Sequence, residues 1–260
     1  MTMHVAMVMC AAALAALAGC AAPTPAPEGL AAKAKAAPDA ERPDSDAALI
    51  LAEALEQSKA LAPDARGTLL EAALVRAQRA RDFRIAEESP LPEGWPAPSL
   101  PGLIRVKTYP PVRSAWVRSP EKRNGQFMVL FRHIQAREIP MTAPVVMEYA
   151  NPAAQTPPAA AGSPEAMAFL YRSPSVGRAG QDGAVLVEDD KPLTVVSLGL
   201  KGSYRQANFD EAQAQLRQWL VAHPQWRPAG PPRVLAYNSP FMAFWRKYSE
   251  VQIPVQPAAP

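Results

Sequence analysis

The alternation of apolar and polar residues divides this chain into stretches of different texture. Between residues 47 and 82 the apolar positions recur at helical spacing. Leu49, Ala52 and Glu53 begin one helix and Leu61 closes it. Pro63-Asp64 starts a second, with Leu69, Leu70, Ala73, Leu74 and Ala77 on one stripe. Basic residues from Arg76 to Arg81 suit the carbonyl end of that helix. From about residue 100 the pattern turns to β. "LIRVKTYPPVRSAWV" alternates on either side of Pro110-Pro111, which predicts a hairpin or a bent strand. In "GQFMVLFRHI", Phe127, Leu130, Phe131 and Ile134 fall at i, i+3, i+4 and i+7, the face of a helix. "IPMTAPVVMEY" is extended, because each proline disfavours helix at the residue before it. "AMAFLYR", "AVLVED" and "LTVVSLGLKGSYR" read as strands.

"NFDEAQAQLRQWLVAHPQW" predicts a further amphipathic helix. Asn208 is its expected cap, with Asp210 and Glu211 in the first turn and Pro224 at the end. Its expected buried stripe is Phe209, Ala212, Leu216, Trp219 and Leu220. "RVLAYNSPFMAFWRKYSEVQIPV" closes the chain as strand, turn, strand. Tyr237, Phe241, Phe244 and Trp245 are expected to pack the core and the mouth of the domain. Strands, one amphipathic helix and strands thus occur twice in succession, a loose internal duplication. The expected class is α+β: an antiparallel sheet or barrel with two flanking helices, preceded by a helical hairpin.

The amino-terminal end has a different character. Val5 to Ala18 is an apolar run of fourteen residues, short for a membrane span and suited to a signal peptide. It ends in Leu17-Ala18-Gly19-Cys20, which resembles a bacterial lipobox, with cleavage before Cys20 and acylation of its thiol. Residues 21–46 are Ala, Pro and charge, too poor in apolar surface to offset ordering. The expected domains are a signal peptide at 1–19, acylated Cys20 with a disordered tether to 46, a helical hairpin at 47–83 and a domain at 84–260. Ala21 follows Cys20 where some envelope lipoproteins carry an Asp for inner-membrane retention. The expected location is therefore the bacterial envelope, lipid-anchored on the periplasmic face of the outer membrane.

Composition narrows the chemistry. A net charge of +3 over 260 residues, without a basic run, argues against a nucleic-acid partner. Cys10 and Cys20 are the only cysteines, so the processed chain has no thiol nucleophile, disulfide or thiolate metal site. No GxSxG, HExxH or phosphate-binding loop occurs, and no enzyme activity is expected. The 47–82 helices serve either as packing or as an arm for a protein partner.

The stretches "IRVKTYPPVRSAWV", "FMVLFRHI", "IPMTAPVV", "LTVVSLGLKGSY", "ANFDEAQAQLRQWL" and "VLAYNSPFMAFWRKYSEVQIPV" resemble the SOUL haem-binding family over about residues 102–256. The resemblance implies a distorted β-barrel with two flanking helices. It also implies binding of haem or a related tetrapyrrole, without catalysis. No CxxCH occurs, so haem would be held non-covalently. Haem iron takes an axial His, Met, Cys or Tyr, and the processed chain has His133 and His223. His133, on the flank of the helix face formed by Phe127, Leu130, Phe131 and Ile134, is either an axial ligand at a pocket rim or a helix-end histidine. Met141 is a weak axial ligand, a pocket wall or a core residue. Arg132 and Arg137 either pair with haem propionates or are solvated helix charges.

Overall fold

The computed structural model describes residues 27–35, 45–118, 123–149 and 164–258. Cys20 and the signal segment lie outside these residues, as does most of the expected tether. Helices α2 (Asp46–Ser58) and α3 (Pro63–Asp82) form the expected hairpin. Ser45 caps α2 by accepting the Ala48 N–H at 3.1 Å, and Pro63 opens α3 at a position that needs no donor. The buried faces carry Ile50, Leu51 and Ala54 on α2 and Leu70, Ala73 and Ala77 on α3.

One part of the expected tether is ordered. Pro27–Lys35 forms a helix, α1, which packs on α2 and α3 with Leu30 and Ala34 buried. Its own apolar surface is too small to hold a helix in water. The hairpin supplies the other half of the interface.

The remaining elements are β1 (Ile104–Tyr109), β2 (Val112–Arg118), α4 (Arg123–Ala136), β3 (Val145–Glu148), β4 (Ala166–Leu170), β5 (Gly180–Asp182), β6 (Val185–Asp190) and β7 (Leu193–Lys201). They are followed by α5 (Gln206–Ala222), β8 (Trp226–Pro228), β9 (Arg233–Ala236), a 3-10 turn (Phe244–Arg246) and β10 (Tyr248–Pro257). The strands form one antiparallel sheet in the order β1-β7-β10-β9-β3-β4-β2-β6-β5, with β8 on β10. The class is α+β, as the sequence predicts. The sheet path ends at β1 and β5 without closing, so the expected barrel is not formed among the described residues.

The duplication is visible in this order. About the β9–β3 contact, β10 corresponds to β4, β7 to β2 and β1 to β6. β1 and β2 do not pair as a hairpin. Pro110-Pro111 sends the chain from β1, bonded to β7, across to β2, bonded to β4 and β6. Pro192 does the same between β6 and β7. Each half therefore completes its sheet with a strand from the other, because proline cannot continue a ladder.

Helices α4 and α5 cover one face of the sheet. Leu130, Ile134, Phe209, Ala212, Leu216 and Leu220 meet Phe169, Val187, Val196, Val234 and Val251 there. α5 begins two residues before the expected cap, because Arg205 takes the extended cap conformation. Asn208 lies in the first turn, where its amide donates to the Ser203 carbonyl at 3.0 Å, and Asp210 and Glu211 fall beyond that turn. Gln213 is buried in the stripe, whereas Trp219 is half-buried and stacks on His223 at 3.7 Å.

The other face carries Tyr109, Trp116, Val146, Leu170, Leu235, Tyr237 and Tyr248, and the segment 83–103 straps across it. The strap is pinned along its length. Pro90 accepts the Ala143 N–H at 3.0 Å, Glu88 takes the Ser239 N–H at 2.7 Å, and the Glu93 N–H donates to Arg172 at 2.9 Å. Gly199 on β7 is required where the strap crosses. A Cβ there would stand 2.8 Å from the Tyr248 hydroxyl and 2.9 Å from the Ser99 carbonyl.

Candidate functional site

The residues singled out on α4 are brought together, but they fill their own surroundings. Leu130 and Ile134 are buried in the core. Phe127 and Phe131 stack at 5.9 Å, and Phe127 meets Phe169 edge-on at 5.1 Å. Met141 is half-buried against the same core, and the adjacent Thr142 hydroxyl donates to the Leu170 carbonyl at 2.5 Å. This part of the Met-Thr-Ala-Pro-Val stretch is framework. Arg132 is exposed.

His133 has both ring nitrogens engaged. Nε2 lies 2.8 Å from the Tyr171 hydroxyl and Nδ1 lies 2.9 Å from an Asp182 oxygen. Arg137 clamps the same carboxylate through two hydrogen bonds, at 2.9 and 3.0 Å. Those bonds hold Asp182 below the ordinary carboxylate range, with His133 adding to the effect. Burial, reinforced by Asp182, pushes the Tyr171 hydroxyl up to about 12. An iron bond from either imidazole nitrogen would require one of these contacts to break. His223 caps α5, its Nδ1 2.7 Å from the Trp219 carbonyl oxygen.

A groove of ligand size lies at another place in the fold. A groove of about 1020 Å³ runs between the helical layer, the strap and β1. Phe83, Ile85, Leu91 and Trp95 form its apolar wall, and Arg81 and Arg84 stand beside them. Arg84 is exposed and donates to the carbonyls of Arg81 and Phe83. At the other end Asp46 binds Arg105 and accepts the Leu100 N–H, which ties α2 to the strap and β1. None of the residues 127–141 lines this groove, and neither does any His, Met, Cys or Tyr among the described residues.

The sheet face beneath the strap holds a polar core that no motif in the sequence announces. Glu250 is fully buried and accepts six hydrogen bonds. One oxygen takes Lys107 Nζ at 2.6 Å, the Ser99 N–H at 2.9 Å and the Tyr248 hydroxyl at 3.0 Å. The other takes the Tyr109 hydroxyl at 3.0 Å, the Ser197 hydroxyl at 3.1 Å and the Gln252 amide at 3.1 Å. Burial alone would push this carboxyl up, but Lys107 and these donors leave it below its ordinary range. Lys107 also donates to the Ala97 carbonyl at 2.8 Å, so the ion pair fastens the strap to the sheet. The sequence signal was the alternation in "SEVQIPV", which reads as a half-exposed strand, whereas both faces of β10 are covered.

The aromatic residues after β9 depart from expectation. Tyr237 is buried, but Phe241 is 96% exposed, Phe244 62% and Trp245 61%. Ser239, bonded to Glu88, holds the loop base, and the 3-10 turn carries Phe244 and Trp245 outward, edge-to-face at 5.1 Å.

Residues 102–254 match the sequence profile of the family described as "SOUL heme-binding protein". No curated protein matches the chain. Among solved structures, EcmrR in its DNA complex is 14% identical over 59% of this chain and 57% of that one, with a TM-score of 0.45. The chain thus spans less than two thirds of that protein. The EcmrR C-terminal domain alone is 16% identical over 59% of this chain and 97% of that one, with a TM-score of 0.44. An uncharacterized conserved protein from Listeria innocua is 10% identical over 62% of this chain and 94% of that one, with a TM-score of 0.45. No described helix is long and apolar enough to cross a membrane.

Proposed function

Because the chain belongs to the SOUL haem-binding protein family, we propose that it is a non-catalytic binding protein for haem or a related tetrapyrrole, lipid-anchored through Cys20 in the bacterial envelope. The observation that carries the reading is the groove of about 1020 Å³ between the strap and the helical layer. Its volume is at the upper end of the range for ligand sites, which is roughly 300–1,000 Å³. Phe83, Ile85, Leu91 and Trp95 offer an apolar wall to a flat macrocycle, and Arg84 offers a guanidinium to a propionate. With no axial ligand in its lining, the groove suits recognition of the ring and its carboxylates rather than of the metal.

The test is a titration of the full processed chain with hemin and with metal-free protoporphyrin IX, followed in the Soret region. Both should bind saturably with similar affinity. Arg84→Glu should weaken both by about tenfold, the scale of one charge-assisted hydrogen bond. Binding of hemin alone, abolished by His133→Ala, would return the ligand to α4. No saturable change with either compound would remove the reading. The anchor is tested by Cys20→Ala, which should move the protein from the membrane to the soluble fraction.

A second reading is an envelope interaction protein that keeps the fold without the ligand. The exposed Phe241, Phe244 and Trp245 favour it, as do Leu49 on α2, Leu61 in the turn after it and Val75 on α3, which are 38%, 37% and 54% exposed. If neither tetrapyrrole binds, a photo-crosslinking residue at position 241 should give one discrete adduct in the envelope. Its absence would leave this reading without support.

A further inference from the structure

A second, smaller cavity lies on the strap side of the sheet, near the contact between its two halves. It has a volume of about 230 Å³, and its lining includes Trp95, Tyr109, Trp116, Glu148, Asp190 and Arg233. Arg233 is only 8% exposed. Its Nε donates to Gln252 at 2.8 Å and its guanidinium lies 5.4 Å from the centre of the Tyr109 ring, but its Nη2 has no hydrogen-bond partner. A buried guanidinium nitrogen left without an acceptor is costly in a finished core.

Glu148 stands directly opposite Arg233 in the β3–β9 register, yet the two do not form a salt bridge. Both line the cavity, and no described residue donates a hydrogen bond to the Glu148 carboxyl. Asp190, held on one side by the Ser114 hydroxyl at 2.5 Å, is a second carboxyl in the same lining. Trp95 and Tyr109, 4.4 Å apart, and Trp116 make the remaining walls aromatic. Burial pushes Glu148 and Asp190 up and Arg233 down, against the attraction between Arg233 and the two carboxyls.

We propose that this cavity binds a small zwitterion with an aromatic group, an aromatic amino acid or a close analogue. The carboxylate meets Arg233 Nη2, the ammonium meets Glu148 and Asp190, and the ring lies against Trp95, Tyr109 and Trp116. Charge selects this class. An anion alone would face two carboxyls, and a cation alone would face a buried guanidinium. A dry cavity of about 150 Å³ holds the six carbons of benzene, so 230 Å³ encloses roughly nine non-hydrogen atoms, and because the cavity is open on one side the rest of an aromatic amino acid lies at its mouth. A tetrapyrrole is too large for this cavity, which shares only the Trp95 wall with the groove, so the proposal does not rest on the haem reading.

The experiment is calorimetric titration of the full processed chain with three probes. These are L-phenylalanine, its methyl ester, which keeps only the positive charge, and 3-phenylpropanoate, which keeps only the negative one. Phenylalanine should bind saturably, and each single-charge analogue about tenfold or more weakly. Glu148→Gln should weaken phenylalanine and the ester by a similar factor while leaving the phenylpropanoate affinity unchanged. Circular dichroism of this variant keeps a loss of fold from being read as a loss of binding. Equal or tighter binding of either single-charge analogue would overturn the proposal, as would an unaltered phenylalanine affinity in Glu148→Gln. No saturable heat with any probe at millimolar concentration would mean a water-filled cleft and would also overturn it.

Discussion

His133 shows how far a single residue can be read from sequence. Its place on the flank of α4 was legible from helical spacing. Its partners were not, because Tyr171 lies 38 residues away and the sequence carries no sign of which side chain will meet it. His133→Ala leaves the Tyr171 hydroxyl and Asp182 without the imidazole. It should cost about 1–3 kcal/mol, read as a lower urea midpoint, and leave tetrapyrrole binding unchanged. Glu250 makes the converse point, since nothing in its neighbours announced a buried carboxylate. Its folded-state pKa is depressed. Its contribution to stability is therefore full above the unfolded carboxylate value of about 4.3 and is lost as pH falls through the lower folded value. Lys107→Met strips the buried carboxylate of its counter-charge and should cost about 3–5 kcal/mol at neutral pH. Urea midpoints measured from pH 7 to pH 3 should show the gap between variant and parent narrowing as the pH falls, because burial without Lys107 pushes the Glu250 carboxyl up and its protonation removes the unpaired charge.

The helices and most strands were legible because period and punctuation encode them locally. The bounds that moved did so where a cap was decided by geometry rather than residue type. At the exit of α4, Ile139 donates to the Ile134 carbonyl at 2.9 Å and Glu138 to Gln135 at 3.2 Å, with Glu138 at a φ of 53°. This is the left-handed helix ending that glycine usually supplies, and a glutamate there gives no sequence signal. Glu138→Gly should relieve about 1 kcal/mol of backbone strain and raise the thermal midpoint. An unchanged or lower midpoint would show that contacts of the Glu138 side chain outweigh that strain. Pro110-Pro111 was legible as a break, but whether the chain turned back as a hairpin or crossed to the other half was not. Both courses preserve the same alternation.

The helical layer, the strap and the sheet act together in the whole molecule. Leu100 and Leu103 of the strap pack into the helical cluster, and Asp46, Ala47 and Ala80 line the larger groove. Removing residues 27–82 should therefore leave the sheet with one groove wall missing. Such a fragment should bind hemin at least tenfold more weakly than the full processed chain in the same Soret titration. Equal affinity would place the ligand on the sheet domain alone. The sequence by itself determined the order of elements, the buried stripes of the helices, the internal repetition and the resemblance to the family. These depend on spacing along the chain, which covalent geometry converts directly into faces. Only the tertiary structure decided that the halves exchange β1 and β6, that the sheet does not close among the described residues, that α1 docks on the hairpin, and that a groove and a cavity lie under the strap. Those outcomes depend on which distant surfaces meet. An alternating strand specifies the face a residue takes, not the strand or side chain that will cover it.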